Sequence, residues 1–376
     1  MSTEMKPWQQ GVPMETLKPL AEVFKREYKP YIFGAFGLPK ERDIATAIAE
    51  KKAIYTRELS TCLLFHYYST SGSFTDFTGA KHSIPAGDVC VKDLVGLEKS
   101  RAFEALFTRA SGANIWAECF QENEEMKAFY LKRGFRLRAV KISAASEIIG
   151  VYYRGKEQGG AAYSLEDAIG IKELVSGFIS QAERESILGE VKAFNSWADH
   201  YSSYNKGNTW QAFSLRGFDA SDPFFIEKPA EMSRKWKEEN AHRLSVPCSD
   251  TVALEKFPET MKVVAKLPGE KERVRFMKLK ANVGELSRHA DITDREAGTK
   301  DGAIVRLHIP IVTHPEVVFT SWDLSGKEVK LSMPERSLCY IDTRKPHRAK
   351  NTSSVDRVHL VVDLKASEEI RKLLRQ

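Results

Sequence analysis

Arg357-Val358-His359-Leu360-Val361-Val362-Asp363-Leu364 is the stretch from which the fold of the C-terminal part can be read. Side chains of an extended segment alternate between two faces. Val358, Leu360, Val362 and Leu364 therefore share one face, while Arg357, His359, Val361 and Asp363 share the other. Upstream, Ala303-Ile304-Val305-Arg306-Leu307-His308-Ile309-Pro310-Ile311 divides in the same way, with Arg306 and His308 opposite Val305, Leu307, Ile309 and Ile311. Two strongly apolar strands that each carry Arg-x-His on one side do not suit an ordinary core, because an interior charge is costly unless paired. If both basic faces line one cavity, the expected guest is a small anion held by bidentate arginine–carboxylate contacts.

The residues around these strands supply a metal site. His289 and Asp291 stand two apart, so both can point one way from an extended segment. His347 follows the turn-like Asp342-Thr343-Arg344-Lys345-Pro346 and precedes Arg357 by ten residues, enough to cross a turn and return along a neighbouring strand. Two histidines and one carboxylate form the facial triad of a mononuclear iron(II) site, which leaves three positions open. Other readings remain at this point. His289 and Asp291 suit a surface turn, His308 and His359 suit satisfied core histidines, and His314 before Pro315 suits a turn.

Working outward, 376 residues point to about two domains. The composition, 42% hydrophobic and 29% charged, is that of a soluble globular chain, and no apolar run approaches the ~20 residues of a membrane span. The first 19 residues lack the apolar core of a signal peptide. Five scattered cysteines without a C-x-x-C pair argue against a disulfide framework and a thiolate zinc site. A cytoplasmic location is the expectation. The net charge of +6 permits an acidic partner without requiring one.

Periodicity predicts helices over 14–28 and 41–53, then an alternating α/β layer. Its strands are expected at 62–68, 88–95, 114–120, 135–142 and 148–153, and its helices at 98–109 and 124–133, the latter closed by Gly134. The stretch 155–163 (GKEQGGAAY) reads as a linker. Helices are expected at 165–178 and 183–198. From Trp210 onward short strands dominate, notably 274–279, 303–312, 317–324, 337–342 and 357–364, the pattern of a sandwich or barrel.

Arg288-His289-Ala290-Asp291, Arg306-Leu307-His308-Ile309-Pro310, the run 342–351 (DTRKPHRAKN) and 357–363 (RVHLVVD) together resemble the aspartyl/asparaginyl β-hydroxylase branch of the iron(II)/2-oxoglutarate-dependent oxygenases. The resemblance spans roughly the last 170 residues, with 208–217 as an opening strand. It implies a double-stranded β-helix (jelly roll) in which His289, Asp291 and His347 bind Fe(II). Arg357 would hold the distal carboxylate of 2-oxoglutarate, and Arg306 and His308 would help anchor that co-substrate. The polar loop 291–306 is expected to act as a lid. The implied activity is hydroxylation of a C–H bond, with an amino acid or amino-acyl side chain as the favoured substrate.

A second resemblance lies at 123–135 (NEEMKAFYLKRGF), which is similar to the strand–turn–helix ending of the GNAT acyltransferase superfamily. It implies that Asn123 and Tyr130 lie near an acyl-CoA thiol, with Tyr130 as the catalytic acid of acyl transfer. The pyrophosphate loop of that superfamily needs a glycine-rich turn at a helix N-terminus. Residues 92–101 (KDLVGLEKSR) offer one glycine and two acidic residues there, a departure that counts against acyl-CoA. The expected architecture is α+β in two domains, a GNAT-like α/β domain over 1–155 and a jelly roll with flanking helices over 156–376. Rival functions are oxidative modification of a nucleobase in nucleic acid, a bifunctional acylating oxygenase, and a non-catalytic cupin-like binding module.

Overall fold

The computed structural model describes residues 5–6, 17–28, 41–56, 59–110, 112–155, 160–161, 163–201, 205–291 and 296–376. The chain divides into two compact units, Met1–Ala162 with Leu324–Gly326, and Tyr163–Asp323 with Lys327–Gln376.

Among the described residues the first unit has strands β1 (Met5–Lys6), β2 (Ala53–Thr56), β3 (Thr61–Tyr67), β4 (Gly72–Thr75), β5 (Lys81–Ile84), β6 (Val89–Gly96), β7 (Ile115–Phe120), β8 (Arg136–Ile142) and β9 (Ile148–Arg154). Its helices are α1 (Lys18–Tyr28), α2 (Glu41–Ala49), α3 (Lys99–Arg109) and α4 (Glu124–Lys132). Seven strands form one sheet in the order β1-β2-β3-β6-β7-β9-β8, and β4 pairs with β5 apart from it. Phe103 and Leu106 of α3 and Met126 of α4 pack with Leu63, Val91 and Ala117 on one side of the sheet. Leu20, Phe24, Ile44 and Ile48 of α1 and α2 pack with Cys62, Leu64 and Val95 on the other. The pair β6–β7 is parallel, and its register runs only from Val89–Val91 against Ile115–Ala117. Beyond that point the two strands lose their ladder. The α4 helix ends as expected at Gly134, whose φ of 79° lets the Phe135 N–H turn back to the Tyr130 carbonyl.

The second unit begins with α5 (Leu165–Ala168), β10 (Ile171–Val175), α6 (Gln181–Phe194), β11 (Ala198–Asp199), β12 (Trp210–Gly217), α7 (Arg234–Glu239), β13 (Ser249–Asp250) and α8 (Pro258–Ala265). It continues with β14 (Lys271–Leu279), β15 (Gly284–His289), β16 (Ile304–Val312), β17 (Val317–Trp322), β18 (Glu328–Leu331), β19 (Leu338–Ile341), β20 (His347–Asn351), β21 (Arg357–Lys365) and α9 (Glu368–Arg375). The larger sheet runs β10-β19-β16-β21-β14-β12-β11, with β13 against β12, and the smaller runs β15-β20-β17-β18. Every pair in both is antiparallel. Two antiparallel sheets of this kind form the double-stranded β-helix.

Alternation sorts the larger sheet as the sequence predicts. Val305, Leu307, Ile309, Ile311, Val358, Leu360, Val362 and Leu364 all join the core that packs on Ile187, Val263 and Ile370 of α6, α8 and α9. A second core, with Leu279, Leu286, Phe319, Ile341 and Ala349, lies between the sheets. Arginines and histidines occupy the inner face of the larger sheet beside it. Helix α6 starts on a capping box, Ser180 with Glu183, and stops at Asn195, whose φ of 43° is left-handed.

One expected helix is corrected. Of 165–178, only Leu165–Ala168 is helical, and Ile171–Val175 is an edge strand whose ladder to β19 satisfies its backbone. Close packing explains the break between them, since a Cβ on Gly170 would lie 2.5 Å from the Ser321 Oγ. The helix expected over 41–53 ends at Ala49, because Ala53 opens β2. Residues 14–16 of the first expected helix, 156–159 and Ala162 of the linker, and 292–295 of the lid lie outside the described residues.

Candidate metal centre

His289 ends β15 and His347 begins β20, and the two are direct partners in the ladder of the smaller sheet. Their rings lie 4.3 Å apart, centroid to centroid. Asp291 lies just beyond the strand, where its N–H donates to the Thr343 carbonyl at 2.8 Å. One ligand atom from each of His289, Asp291 and His347 falls within 4.8 Å of the others. The spacing from 289 to 347 in sequence becomes contact only through the β15–β20 pairing.

Both histidines are held in one tautomer. The His289 Nδ1 lies 2.8 Å from the Ser287 carbonyl, and the His347 Nδ1 lies 2.9 Å from the Lys345 carbonyl. A carbonyl only accepts, so Nδ1 carries the proton in each ring and Nε2 keeps its lone pair for a metal. Burial, joined by the His347 charge, lowers the His289 pKa to about 4, and burial also lowers that of His347. Burial raises the Asp291 pKa, but the Arg306 guanidinium and the neighbouring histidines outweigh it and keep the carboxylate ionised. Two neutral imidazoles and a carboxylate are the donor set that iron(II) takes in an open facial site.

The turn before His347 is rigidly built. Asp342 accepts from the Arg344 Nε at 2.9 Å and from the Lys345 Nζ at 3.0 Å, and Lys345 also donates to the Ile169 carbonyl at 2.6 Å. Lys345 is fully buried, so these bonds fix the segment that supplies both the Lys345 carbonyl for His347 and the Thr343 carbonyl for Asp291.

Arg357 is the most telling group near the triad. It is 3% exposed, its guanidinium lies over the Phe319 ring at 5.1 Å, and its Nε and Nη1 have no hydrogen-bond partner. Burial alone pulls its pKa down to about 9. A buried cation with two empty donors fits a carboxylate. His308 and His359 instead face each other, Nδ1 to Nδ1 at 3.2 Å, and burial holds both well below the ordinary histidine pKa. Arg306 is engaged from two sides, with Nε 2.7 Å from Asp363 and Nη1 3.1 Å from Asp291.

Sequence reading overlooked Arg273 and Arg275. Both are buried and both reach the Asp363 Oδ2 at 2.8 Å. Their signal was present, since Arg273-Val274-Arg275-Phe276 alternates charge and apolar residue as the other two strands do.

In the first unit Asn123 caps α4, its Oδ1 accepting the Met126 N–H at 3.1 Å. Tyr130 is 1% exposed and packs its ring against Phe103, Phe135 and Tyr152, with burial raising its pKa far above that of a free phenol. A cavity of about 620 Å³, lined by Tyr28, Leu94, Gly96, Lys99, Asn123 and Met126 among others, lies where β6 and β7 part. Acyl-CoA fits this cavity poorly. The Gly96 N–H donates to the Glu27 carboxylate at 2.8 Å, Lys99 pairs with the same carboxylate at 2.9 Å, and the Glu98 N–H donates to the Thr61 hydroxyl at 2.9 Å. An internal anion already stands at the strand–helix turn where a pyrophosphate would need bare donors.

A two-sheet β-helix around two histidines, a carboxylate and an unpaired buried arginine defines the class of mononuclear non-haem metal oxygenases. Residues 181–367 match the family model described as aspartyl/asparaginyl beta-hydroxylase. The C-terminal unit thus contains a domain similar to this hydroxylase family, over just under half of the chain, with a candidate metal site of two histidines and a carboxylate. Among solved structures, a prolyl-4-hydroxylase of Pseudomonas putida overlaps 53% of this chain and 93% of its own at 12% identity and a TM-score of 0.30. A prolyl hydroxylase in complex with a hypoxia inducible factor peptide fragment, from Trichoplax adhaerens, overlaps 55% and 87% at 12% identity and a TM-score of 0.33. Overlaps this loose carry no weight by themselves. No curated protein matches in sequence.

Proposed function

We propose that the C-terminal unit hydroxylates a C–H bond of an amino acid or amino-acyl side chain, with His289, Asp291 and His347 as the iron ligands and Arg357 as the anchor for the distal carboxylate of 2-oxoglutarate. The observation that carries this reading is the triad of mutually reachable donors beside an arginine with two unpartnered, buried nitrogens. Iron(II) with 2-oxoglutarate, when bound, supplies the activation of dioxygen that hydroxylates the substrate and yields succinate and carbon dioxide. The chain's own part is positional. The Ser287 and Lys345 carbonyls hold the Nε2 atoms toward the metal. Arg306 keeps Asp291 ionised and oriented, and the apolar wall of Leu279, Phe319 and Ile341 limits water. His308 and His359, neutral at pH 7, line the inner face next to Arg357 without adding charge.

A GNAT-like fold is the reading for the first unit, because β7, α4 and β8 follow one another around 123–135 in the strand–turn–helix order which that segment's resemblance implied. The Glu27 carboxylate at its turn supports a fold kept without acyl transfer. Recognition of a substrate, nucleic acid included, is the role left for it. Incubation with acetyl-CoA and a thiol reagent checks this reading, and steady release of free CoA would overturn it.

The test of the oxygenase site is anaerobic titration of the protein with iron(II) and 2-oxoglutarate, followed by the visible charge-transfer band of the chelate. The band is expected in the wild type, absent in His347→Ala and weakened in Arg357→Ala. A folded, metal-supplied protein without the band would leave a binding module as the better account.

A further inference from the structure

His308 of β16 and His359 of β21 carry chemistry that the triad and Arg357 leave unused. They sit on adjacent strands of the larger sheet and meet Nδ1 to Nδ1 at 3.2 Å. His359 is fully buried and His308 is 4% exposed. Burial first, and then the Arg357 charge, keeps both rings neutral at pH 7. Two neutral imidazoles that meet through one pair of nitrogens can share a hydrogen bond in only two ways. Protons on both Nδ1 atoms would clash, and lone pairs on both would repel. One Nδ1 therefore carries the proton and the other accepts it. The outer nitrogens differ as a result: the ring that donates through Nδ1 has a bare Nε2, and its partner has an Nε2–H.

The surroundings choose between the two arrangements. The His359 Nε2 has no hydrogen-bond partner among the described residues, and neither do the Nε and Nη1 of Arg357, two positions earlier on the same strand face. The His359 ring stacks on Phe319 at 5.8 Å and 19°, and the Arg357 guanidinium lies over the same ring at 5.1 Å. One aromatic side chain is thus shared by three buried, orphaned nitrogens. An anion that takes the two arginine donors meets the His359 ring beside them. A lone pair on Nε2 repels it, whereas an N–H there binds it.

We infer that His359 is a second donor to the distal carboxylate of 2-oxoglutarate through its Nε2–H, and that His308 fixes this tautomer by donating its own Nδ1–H to the His359 Nδ1. His359 adds a hydrogen bond to the anion and no charge, so the carboxylate is held without a second buried cation. His308 is a positioning residue that acts through His359, in place of the direct contact with the co-substrate that the sequence resemblance implied. The inference rests on the assignment of Arg357 as the anchor of that carboxylate.

The test uses the full chain carrying isotope-labelled histidine, loaded with zinc(II) as a diamagnetic replacement for iron(II), with and without 2-oxoglutarate at pH 7.5. Two-bond proton–nitrogen spectra report which ring nitrogen of each histidine carries the proton, and the His308→Asn and His359→Gln variants assign the signals. With 2-oxoglutarate bound, His308 is expected in the Nδ1–H form and His359 in the Nε2–H form. Calorimetry of the same samples reads affinity. His359→Leu is expected to weaken 2-oxoglutarate binding by tenfold or more. His359→Gln, whose amide N–H can take the place of Nε2–H, is expected to stay within a few-fold of wild type. His308→Asn keeps a donor at the Nδ1 position and is expected to leave His359 in the Nε2–H form. The same tautomer in both rings, an imidazolium in either, a bare His359 Nε2 with the co-substrate bound, or wild-type affinity in His359→Leu would each overturn the inference. Should the leucine variant fail to fold, the wild-type spectra decide it. A protein with neither 2-oxoglutarate binding nor the iron(II) chelate band would overturn the Arg357 assignment and the inference with it. A protein with both and the other tautomer would overturn the inference alone.

Discussion

At the scale of single residues, the chemistry depends on which groups have partners. Arg357 and Arg306 are both inner-face arginines preceding His by two positions, yet one lacks partners at two nitrogens and the other bridges two aspartates. Replacement of Arg357 by alanine removes a charge-assisted, bidentate contact, which is worth about 2 kcal/mol or more in a dry site. The expected result is a rise in the 2-oxoglutarate Kd of about 30-fold or more, with iron(II) affinity little changed, as read by equilibrium dialysis of each. Arg357→Lys is expected to fall between, because an ammonium cannot reproduce the fork. Sequence alternation placed both arginines on the inner face. It could not tell their partners apart, because Asp363 and Asp291 reach Arg306 only once β16, β21 and the end of β15 come together.

At the scale of elements, the return from β20 into β21 is latched by one side chain. The Asn351 Nδ2 donates to the carbonyls of Leu279, Lys280 and Val355, and its Oδ1 accepts from the Ser353 N–H and hydroxyl. Asn351 is fully buried, so Asn351→Ala strands several backbone groups away from water. A loss of about 2–4 kcal/mol in urea unfolding is expected, with a weakened chelate band because β20 carries His347. Leu360→Ala, at the centre of the helix-side core, is expected to cost about 2–5 kcal/mol and to leave the inner face in place. The strands β14, β16, β17, β19 and β21 were legible as strands, whereas the ranges of β15 and β20, which carry His289 and His347, and the edge strand β10 were not. The β10 sequence is short, with two of its five residues charged, and it is extended because β19 offers a free edge and Gly170 allows the approach to Ser321.

At the scale of the whole molecule, the buried histidines tie stability to pH. His308 and His359 have folded pKa values well below the 6.5 of an exposed imidazole. Below pH 6.5 the unfolded chain takes up protons that the folded chain refuses, so stability is fully present above that value and falls as pH drops toward the folded pKa values. Each histidine contributes up to about 1.4 kcal/mol per pH unit in that window. Urea midpoints of metal-free protein at pH 7.5 and 5.5 should show the decrease, and the His308→Gln, His359→Gln double variant should make it shallower, leaving the part carried by His200, His289 and His347. Iron(II) and 2-oxoglutarate act in the opposite direction. At 100 times Kd each adds about 2.7 kcal/mol to the unfolding free energy, so the anaerobic Tm is expected to rise and to return on addition of EDTA.

The sequence by itself determined the strand faces and the presence of an α/β layer before a β-rich one, and it singled out His289, Asp291 and His347 as candidate ligands that only the β15–β20 pairing brings together. It did so because alternation and spacing are local, and each strand declares its apolar side without its neighbours. Only the tertiary structure decided which cations are paired, because a salt bridge between residues 57 or 88 positions apart depends on register between strands. The same holds for the Glu27 carboxylate at the Gly96 turn, 69 residues away. Long-range pairing fixes where charge is neutralised, and what stays unneutralised defines what the site can bind.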